Sequence, residues 1–317
     1  MRKQTCTFDR LRAIGFRLLF GAIFLPGAAH AEWLTRSENI MGTRCSVELW
    51  SDDRARGEAA ISSVFDDMKR IDRLMSTWKE DTEISKVNRE GGKHPVKISP
   101  ELFRLLQVSV EYSELTRGAF DITYASVGYL YDFKKGVHPD QKAIDQALPG
   151  INWRHMVLDA SNTTVFFARP GMRIDLGSAG KGYAVDRAIA RLRGNGVQCA
   201  LLHGGTSSVH AIGVPGSSDG WRIGWSPERA PARTFELHDS ALAVSAVHGK
   251  AFRANGRVFG HVMDPHTGQP ADVAGSAVVA GPDSLLCDAL STALLVRGAH
   301  WLPVLNERFP GYAGMVA

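Results

Sequence analysis

The sequence predicts a mixed α+β fold, and three observations support that class. Short segments that alternate apolar and polar residues, as half-buried strands do, occur beside longer segments with helical three- and four-residue spacing. Strands and helices do not alternate strictly, which disfavours a doubly wound parallel sheet. The chain has 317 residues, 44% of them hydrophobic, so it is long enough to bury a large core. We expect one domain over residues 32–317.

Two long helices and a series of short strands make up the predicted elements. The first helix covers residues 59–74, and the second begins at Pro100, is capped by Ser99 and stops near Gly118. The loop over 213–219 reads as a long turn between strands. The remaining predictions are strands at 45–50, 156–159, 164–168, 172–176, 200–203, 209–214, 242–245 and 312–316, and helices at 184–193 and 286–296.

The first 31 residues read as a secretory signal peptide. A basic start is followed by a largely apolar stretch over 14–25 and by a small-x-small cleavage site at Ala29-His30-Ala31. The apolar run is short and interrupted by Arg17, so an uncleaved membrane anchor is the secondary interpretation. We therefore expect an exported, periplasmic protein.

Charge and cysteine content exclude two classes of function. Five of the 37 basic residues and one of the 33 acidic residues lie in the predicted signal peptide, which leaves 32 of each sign. A neutral mature chain gives no electrostatic case for nucleic-acid binding. Cys45, Cys199 and Cys287 have no metal-type spacing, so buried free thiols are expected rather than a disulfide framework.

The glycine-rich stretch from Ile174 to Tyr183 is the most informative part of the chain. A short apolar segment ends at Asp175, and three glycines then surround Lys181 before a helical pattern begins. Such a turn can direct backbone N–H groups and a lysine charge toward a phosphate. The spacing matches neither a P-loop nor a Rossmann fingerprint. A tight turn that permits close helix packing is the alternative, and the pattern alone leaves both open.

A second group lies on the last apolar helix, where Asp288 and Thr292 share one face. A carboxylate and a hydroxyl are costly to bury without partners, and Mg²⁺ would satisfy both because it prefers oxygen ligands. The alternative is that Asp288 acts as a cap or forms a local salt bridge, and that Thr292 bonds back to the helix backbone.

A third group is the segment Phe259–Gly268, in which His261 precedes an Asp-Pro turn and a Thr-Gly turn. His261 has the chemistry of a general base, although a histidine bonded at a strand end fits the pattern equally well.

These segments occur in an order that resembles the ApbE family of FAD:protein FMN transferases over nearly all of residues 32–317. The matching signatures are Met41-Gly42-Thr43, Ile71-Asp72-Arg73-Leu74-Met75-Ser76-Thr77-Trp78, Thr82-Glu83-Ile84-Ser85 with Asn88, Gly118-Ala119-Phe120-Asp121-Ile122-Thr123, Asp175-Leu176-Gly177 with Lys181-Gly182-Tyr183-Ala184-Val185-Asp186, Gly204-Gly205, His261-Val262-Met263-Asp264-Pro265 with Thr267-Gly268, and Asp288-Ala289-Leu290-Ser291-Thr292.

The resemblance implies an α+β, T-fold-like architecture of mixed sheet and helices, with FAD in a cleft between a larger and a smaller lobe. It implies FAD as substrate, Mg²⁺ as cofactor, and transfer of FMN through a phosphoester to a Thr or Ser of a target flavoprotein. The implied partner belongs to a membrane electron-transfer complex, such as an NADH:quinone oxidoreductase, a related complex or the flavoprotein of nitrous oxide reduction. Contact with the membrane is expected only through that partner.

The resemblance also assigns roles to individual residues. Those placed at the flavin nucleotide are Met41, Trp78 (where the family usually has tyrosine), Ala119, Phe120, Asp121, Asp175, Lys181 and Val262. Those placed at the metal are Ser178 through its backbone oxygen, Asp288, Thr292 and the neighbouring Ser291. His261 is the candidate base, with Asp288 as the other carboxylate that could accept a proton.

The chain departs from the family pattern in three places. Thr206 follows Gly204-Gly205 where an acidic or amide residue is common, and Ser245-Ala246 replaces Ser-Gly. The sequence stops at Ala317, where relatives usually continue, so either the C-terminal edge is abbreviated or the sequence is incomplete.

The proposed chemistry is in-line attack of the acceptor hydroxyl on the FMN-side phosphorus, with AMP as leaving group. Two other functions use the same pocket. One is an FAD-binding protein without transfer activity, and the other is a Mg²⁺-dependent FAD pyrophosphatase that releases FMN and AMP.

Overall fold

The computed structural model describes residues 31–228, 230–247, 251–254, 256–271 and 275–317. Apart from its last residue, the predicted signal peptide lies outside these ranges and stays a prediction. Within them, no helix combines the length and the apolar character needed to cross a membrane.

Strands and helices are mixed along the chain, as predicted. In chain order the strands are β1 (Glu32–Ile40), β2 (Thr43–Ser51), β3 (Val96–Lys97), β4 (Met156–Asp159), β5 (Thr164–Phe167), β6 (Ala200–Gly204), β7 (Ser208–Ile212), β8 (Trp221–Trp225), β9 (Arg233–Leu237), β10 (Ala241–Ala246), β11 (Ala251–Ala254), β12 (Arg257–Gly260), β13 (Met263–Asp264), β14 (Gln269–Pro270), β15 (Ser276–Gly281) and β16 (Ala313–Val316). The α-helices are α1 (Arg54–Met75), α2 (Glu83–Glu90), α3 (Pro100–Leu115), α4 (Ala125–Gly128), α5 (Gln141–Ala147), α6 (Gly180–Gly194), α7 (Ser284–Arg297) and α8 (Leu302–Arg308).

The main sheet has seven strands in the order β1-β2-β6-β7-β10-β15-β16. Every described pairing in it is antiparallel. Strands β6, β7 and β15 are buried along most of their length, because both faces of the sheet are covered.

The two faces of this sheet are covered differently. Helices α1, α6 and α7 pack side by side on one face and enclose the large core. A hairpin of β8 and β9 covers the other face, where Trp221 and Trp225 pack over β6, β7 and β10. The candidate site lies on the helix-covered face, where α6 meets α7.

Smaller sheets complete the fold. Strands β3, β5 and β4 form a three-stranded antiparallel sheet near α2 and α3. The hairpins β11–β12 and β13–β14 follow β10. His261 lies between these two hairpins, directly after β12.

Most predicted elements are present, with one wrong strand. The segment 172–176 is not a strand, because its backbone bonds to a side chain instead of a neighbouring strand. Ile174 donates its N–H to Asn88 Oδ1 at 2.8 Å, and its carbonyl accepts from Asn88 Nδ2 at 2.9 Å. The three cysteines Cys45, Cys199 and Cys287 are buried and free, as expected.

Candidate active site

The glycine-rich turn feeds directly into α6, which begins at Gly180, four residues earlier than the apolar pattern predicted. Lys181 therefore lies in the first helical turn, and its Nζ donates to the Gly177 carbonyl at 3.1 Å. The N–H groups of Ala179 and Gly180 donate to the Leu176 carbonyl. Fewer backbone donors thus point outward than an open phosphate-binding turn would provide.

Close packing of α6 on α7 explains one of these glycines. A Cβ on Gly182 would lie 2.4 Å from the Ser284 carbonyl oxygen, so a larger residue cannot fit. The helices are also joined by Asp186, whose carboxylate accepts from the N–H groups of Ser284 (2.7 Å) and Leu285 (2.9 Å). A carboxylate at the first amides of a helix is favourable because those donors have no partner within the helix. The glycine-rich turn therefore does permit close helix packing, as the alternative interpretation of the sequence expected.

Asp288 lies one turn into α7, fully buried against this helix contact. Its Oδ2 accepts from the Gly182 N–H at 2.7 Å, and its Oδ1 accepts from Ser208 Oγ at 2.7 Å. Burial raises the pKa of Asp288 to about 6, although the nearby Lys181 charge and both hydrogen bonds act in the opposite direction. The carboxylate is thus held in place by two donors while its charge is only partly compensated.

Three hydroxyls lie beside Asp288. Ser245 Oγ is 2.9 Å from Ser291 Oγ and 3.2 Å from Thr292 Oγ1. Both Ser291 and Thr292 donate to the Asp288 carbonyl oxygen at 3.0 Å. The back-bonding expected as the alternative for Thr292 is therefore present. Each hydroxyl oxygen keeps acceptor capacity, because a hydroxyl carries one proton and two lone pairs.

The donors at this place suit a hard cation. They are one carboxylate, hydroxyls and backbone carbonyls, which are the oxygen ligands that Mg²⁺ prefers. Among the described residues no cluster of three or more His, Cys, Asp or Glu side chains could hold a metal. Asp288 supplies a buried carboxylate here, and the charge of Asp186 is close enough to act on its pKa.

Met41 is brought to the same turn by the β1–β2 hairpin. Met41 and Gly42 both have positive φ, as the tight connection between two paired strands requires. The Met41 methyl carbon lies 3.7 Å from the position that a Cβ on Gly180 would take. Met41 therefore lies beside the glycine-rich turn, while its assignment to the flavin nucleotide stays a prediction.

Asp175 connects the turn to Trp78. Its Oδ2 accepts from Thr77 Oγ1 at 2.7 Å, and its Oδ1 accepts from the Gly177 N–H at 2.6 Å. The buried Tyr124 hydroxyl also bonds to Asp175. Trp78, the residue after Thr77, is 85% exposed, so its ring is available for stacking on a flat ligand.

The segment Ala119–Asp121 lies beside Asp175, because the Asp175 N–H donates to the Ile122 carbonyl at 3.0 Å. All three side chains are buried, and the Asp121 carboxylate accepts from Thr123 and from the Trp153 N–H. Burial raises the pKa of Asp121, opposed by these bonds. Its side chain therefore organises the local turn, which leaves the backbone of this segment as the part able to contact a ligand.

His261 follows β12 and is exposed, and Val262 packs partly against the large core. Gly260 lies close to Val247, since a Cβ there would be 2.5 Å from Val247 Cγ1. Val247 follows β10, which carries Ser245. The residue before His261 is therefore packed close to the end of β10, the strand whose Ser245 contacts Ser291 and Thr292.

Several side chains at this site were not predicted from the sequence. Ser208 donates a hydrogen bond to Asp288, and Asp186 accepts from the first amides of the same helix. Thr77 and Tyr124 both bond to the Asp175 carboxylate. Alternation along β7 places Ser208 on the same face as His210, which bonds to Ser284 Oγ at 2.9 Å. This two-residue spacing is the sequence signal that could have placed Ser208 on the side of the sheet that faces α7.

Comparison with known proteins gives one consistent family. The family model described as "ApbE family" matches residues 41–316. The FAD:protein FMN transferase of Treponema pallidum is 27% identical, with 98% of this chain and 91% of that protein covered. The FAD:protein FMN transferase of Klebsiella pneumoniae is 30% identical, with 82% and 81% covered.

Solved structures agree with the fold. The ApbE protein of Thermotoga maritima superposes with a TM-score of 0.80 at 26% identity, covering 90% of this chain and 94% of that one. The apo form of the Pseudomonas stutzeri flavinyl transferase ApbE has a TM-score of 0.78 at 24% identity, covering 90% and 95%. The α+β class predicted from the sequence is confirmed.

Proposed function

Because the chain belongs to the ApbE family, we propose that it is an FAD:protein FMN transferase, which moves the FMN part of FAD to a hydroxyl of a target flavoprotein and releases AMP. Two relatives that it covers over most of their length carry that activity in their names. The observation in this molecule that carries the proposal is the position of Asp288. It is buried, fixed by Gly182 and Ser208, and adjacent to the turn that bears Lys181.

Mg²⁺ is the proposed cofactor, with Asp288 and Thr292 as side-chain ligands, Ser291 beside them and the Ser178 carbonyl as a further donor. Two features support the fit: the donors are all oxygens, and the buried carboxylate lacks full compensation of its charge. When bound, a divalent cation would supply neutralisation of the charge that develops on the pyrophosphate.

The chain's own residues have separate proposed roles around FAD. Lys181 would provide a fixed positive charge near the phosphates, and Asp175 would orient the glycine-rich turn. Trp78 would stack on the flat part of the ligand, since its ring is exposed. Met41, Val262 and the backbone of 119–121 would form the remaining walls.

His261 is the proposed acceptor of the proton from the incoming hydroxyl. Its exposed position at the end of β12 lets a protein substrate reach it. A neutral imidazole has a nitrogen lone pair for the proton near neutral pH. The hydroxyl oxygen then forms the new bond to the FMN-side phosphorus as the bond to AMP breaks.

The function is tested by incubating the protein with FAD, Mg²⁺ and a candidate acceptor flavoprotein. Flavin fluorescence that stays on the acceptor band in a denaturing gel supports transfer. Free FMN and AMP without labelled acceptor would instead support the pyrophosphatase, and intact FAD bound without turnover would support a binding protein.

Export and partner class are further proposals. Residues 1–31 have the charge and apolar pattern of a signal peptide. That pattern supports the proposal that the enzyme is periplasmic and acts beside the membrane complex that it would flavinylate. Fusing these residues to a reporter that is active only after export, and finding it inactive, would reject this location.

A further inference from the structure

The hairpin β11–β12 forms one unit with the segment Tyr129–Val137 through aromatic contacts. Phe252 and Phe259 stack across the hairpin with ring centroids 5.1 Å apart. Phe133 packs edge-on against Phe252 at 5.6 Å. A two-stranded hairpin is at best marginally stable alone, so these rings hold it against the body of the protein.

This unit lies between two predicted parts of the active site. Lys134 Nζ lies 5.3 Å from the centroid of the Trp78 ring, at the proposed flavin-stacking position. At the other end, β12 finishes at Gly260, immediately before His261. An acceptor polypeptide whose hydroxyl reaches His261 would therefore have this unit beside it.

Basic residues outnumber acidic ones in this unit, where Asp132 is the acidic residue of the segment Tyr129–Val137. Residues 241–263 contain Lys250, Arg253 and Arg257 but no Asp or Glu, although basic and acidic residues balance over 32–317 as a whole. Lys134 and Arg253 are exposed, and neither has a carboxylate at ion-pair distance among the described residues. Lys135 differs, since it lies 3.5 Å from Asp132. We call Lys134 and Arg253, with Phe133 and Phe252 between them, the basic rim.

We propose that the basic rim is the docking surface for an acidic segment of the acceptor protein. This inference rests on the proposed function, because it names the chemistry of that enzyme's protein substrate. Two surface cations without a carboxylate partner among the described residues attract an acidic segment and raise its rate of association, and the half-buried rings of Phe133 and Phe252 supply apolar contact. The rim acts on acceptor binding and leaves the reacting groups untouched.

The test uses two short synthetic peptides of equal length, each with a central Thr. One has acidic residues around the Thr, and the other has the corresponding amides. The doubly reversed variant Lys134→Glu with Arg253→Glu is compared with the wild type and with Lys97→Glu, an exposed lysine on β3. The measured quantities are FMN transfer with FAD and Mg²⁺, peptide binding by fluorescence anisotropy, and FAD affinity.

For wild type, we expect the acidic peptide to have the lower KM, with a preference that weakens as salt rises. At saturating FAD, the double variant should raise KM for the acidic peptide about tenfold and leave kcat unchanged. A third peptide with lysines around the Thr should become the better substrate of the double variant. Lys97→Glu should behave as wild type.

Equal binding of acidic and amide peptides to the wild type would overturn the proposal. So would an unchanged KM in the double variant, or a weaker FAD affinity alone, which would assign the rim to the nucleotide instead. Failure of the proposed function looks different: wild type would transfer FMN to no peptide and no acceptor protein, while the anisotropy measurement would still decide whether the rim binds acidic peptide.

Discussion

The backbone N–H of Gly182 donates to Asp288 Oδ2 at 2.7 Å, and this bond joins the two functional halves of the site. Gly182 follows Lys181 at the start of α6, and Asp288 lies in the first turns of α7. The absence of a side chain at residue 182 lets the helices approach closely enough for the bond to form. The lysine and the carboxylate therefore keep a fixed relative position.

Replacing Gly182 with alanine should destabilise the fold and misplace Asp288. The new Cβ would lie 2.4 Å from the Ser284 carbonyl, and forcing the helices apart should cost about 1–3 kcal/mol of unfolding free energy. Gly194→Ala, at the end of the same helix with nothing within 4 Å, is the matched control and should be neutral or slightly stabilising. Denaturant unfolding measures both. Equal stability of the two variants would contradict the packing argument.

Asp288→Asn should separate function from stability. Because burial raises the pKa of Asp288 to about 6, the folded protein holds an unfavourable charge once pH exceeds that value. In EDTA at pH 7.5 the asparagine variant should therefore be more stable, by on the order of 2 kcal/mol, and the difference should vanish near pH 4. Mg²⁺ should raise the melting temperature of wild type alone.

Asp288→Asn should also lose FMN transfer by at least about a hundredfold, since removing the charge of the proposed metal ligand should cost several kcal/mol of transition-state stabilisation. Ser245→Ala, which keeps Asp288, should lose much less. Near-normal transfer by Asp288→Asn at saturating Mg²⁺ would show that the cation binds elsewhere.

The sequence was sufficient to predict the helices that carry this site but not the bonds between them. Apolar spacing located α6 and α7 within a few residues, because periodic burial is a local property of each segment. The start of α6 was placed too late, since Gly180, Lys181 and Gly182 have no apolar side chains to mark the first turn. The partners Ser208 and Asp186 depend on how distant segments pack, which no local pattern contains.

The false strand at 172–176 has a similar cause. Its apolar alternation is real, since Met172, Ile174 and Leu176 are all buried. The Asn88 side chain pairs with the backbone of Ile174, and the Asp175 N–H donates to the Ile122 carbonyl, so these bonds take the place of a neighbouring strand. The apolar alternation predicts which side chains are buried, but it carries no information about the hydrogen-bond partners of the backbone.

Trp78→Ala should weaken FAD binding with little effect on stability. The ring is 85% exposed, so its removal should change the unfolding free energy by less than about 0.5 kcal/mol. Loss of one stacking contact worth about 1 kcal/mol should raise the Kd for FAD about fivefold. Trp78→Tyr keeps an aromatic ring and should bind almost normally. Flavin fluorescence titration gives the three affinities, and equal values would remove Trp78 from the site.

Asp67 should control stability in acid, because it joins α1 to α6. Its side chain is 1% exposed, and its carboxylate lies 2.9 Å from both Arg70 and Arg191. Burial alone would raise the pKa of Asp67, but the hydrogen bonds from Arg191 and Arg70 outweigh it and lower the pKa below its ordinary value. Its contribution to stability is therefore complete above the unfolded pKa near 4 and is lost as pH falls through the lower folded pKa.

Asp67→Asn should cost about 3 kcal/mol at pH 7, and the deficit should shrink below pH 4. Glu58→Gln, which removes only an exposed pair with Arg54, should cost less than about 0.5 kcal/mol at any pH. Urea unfolding across this pH range checks both, and a deficit of constant size would show that Asp67 acts through packing rather than charge.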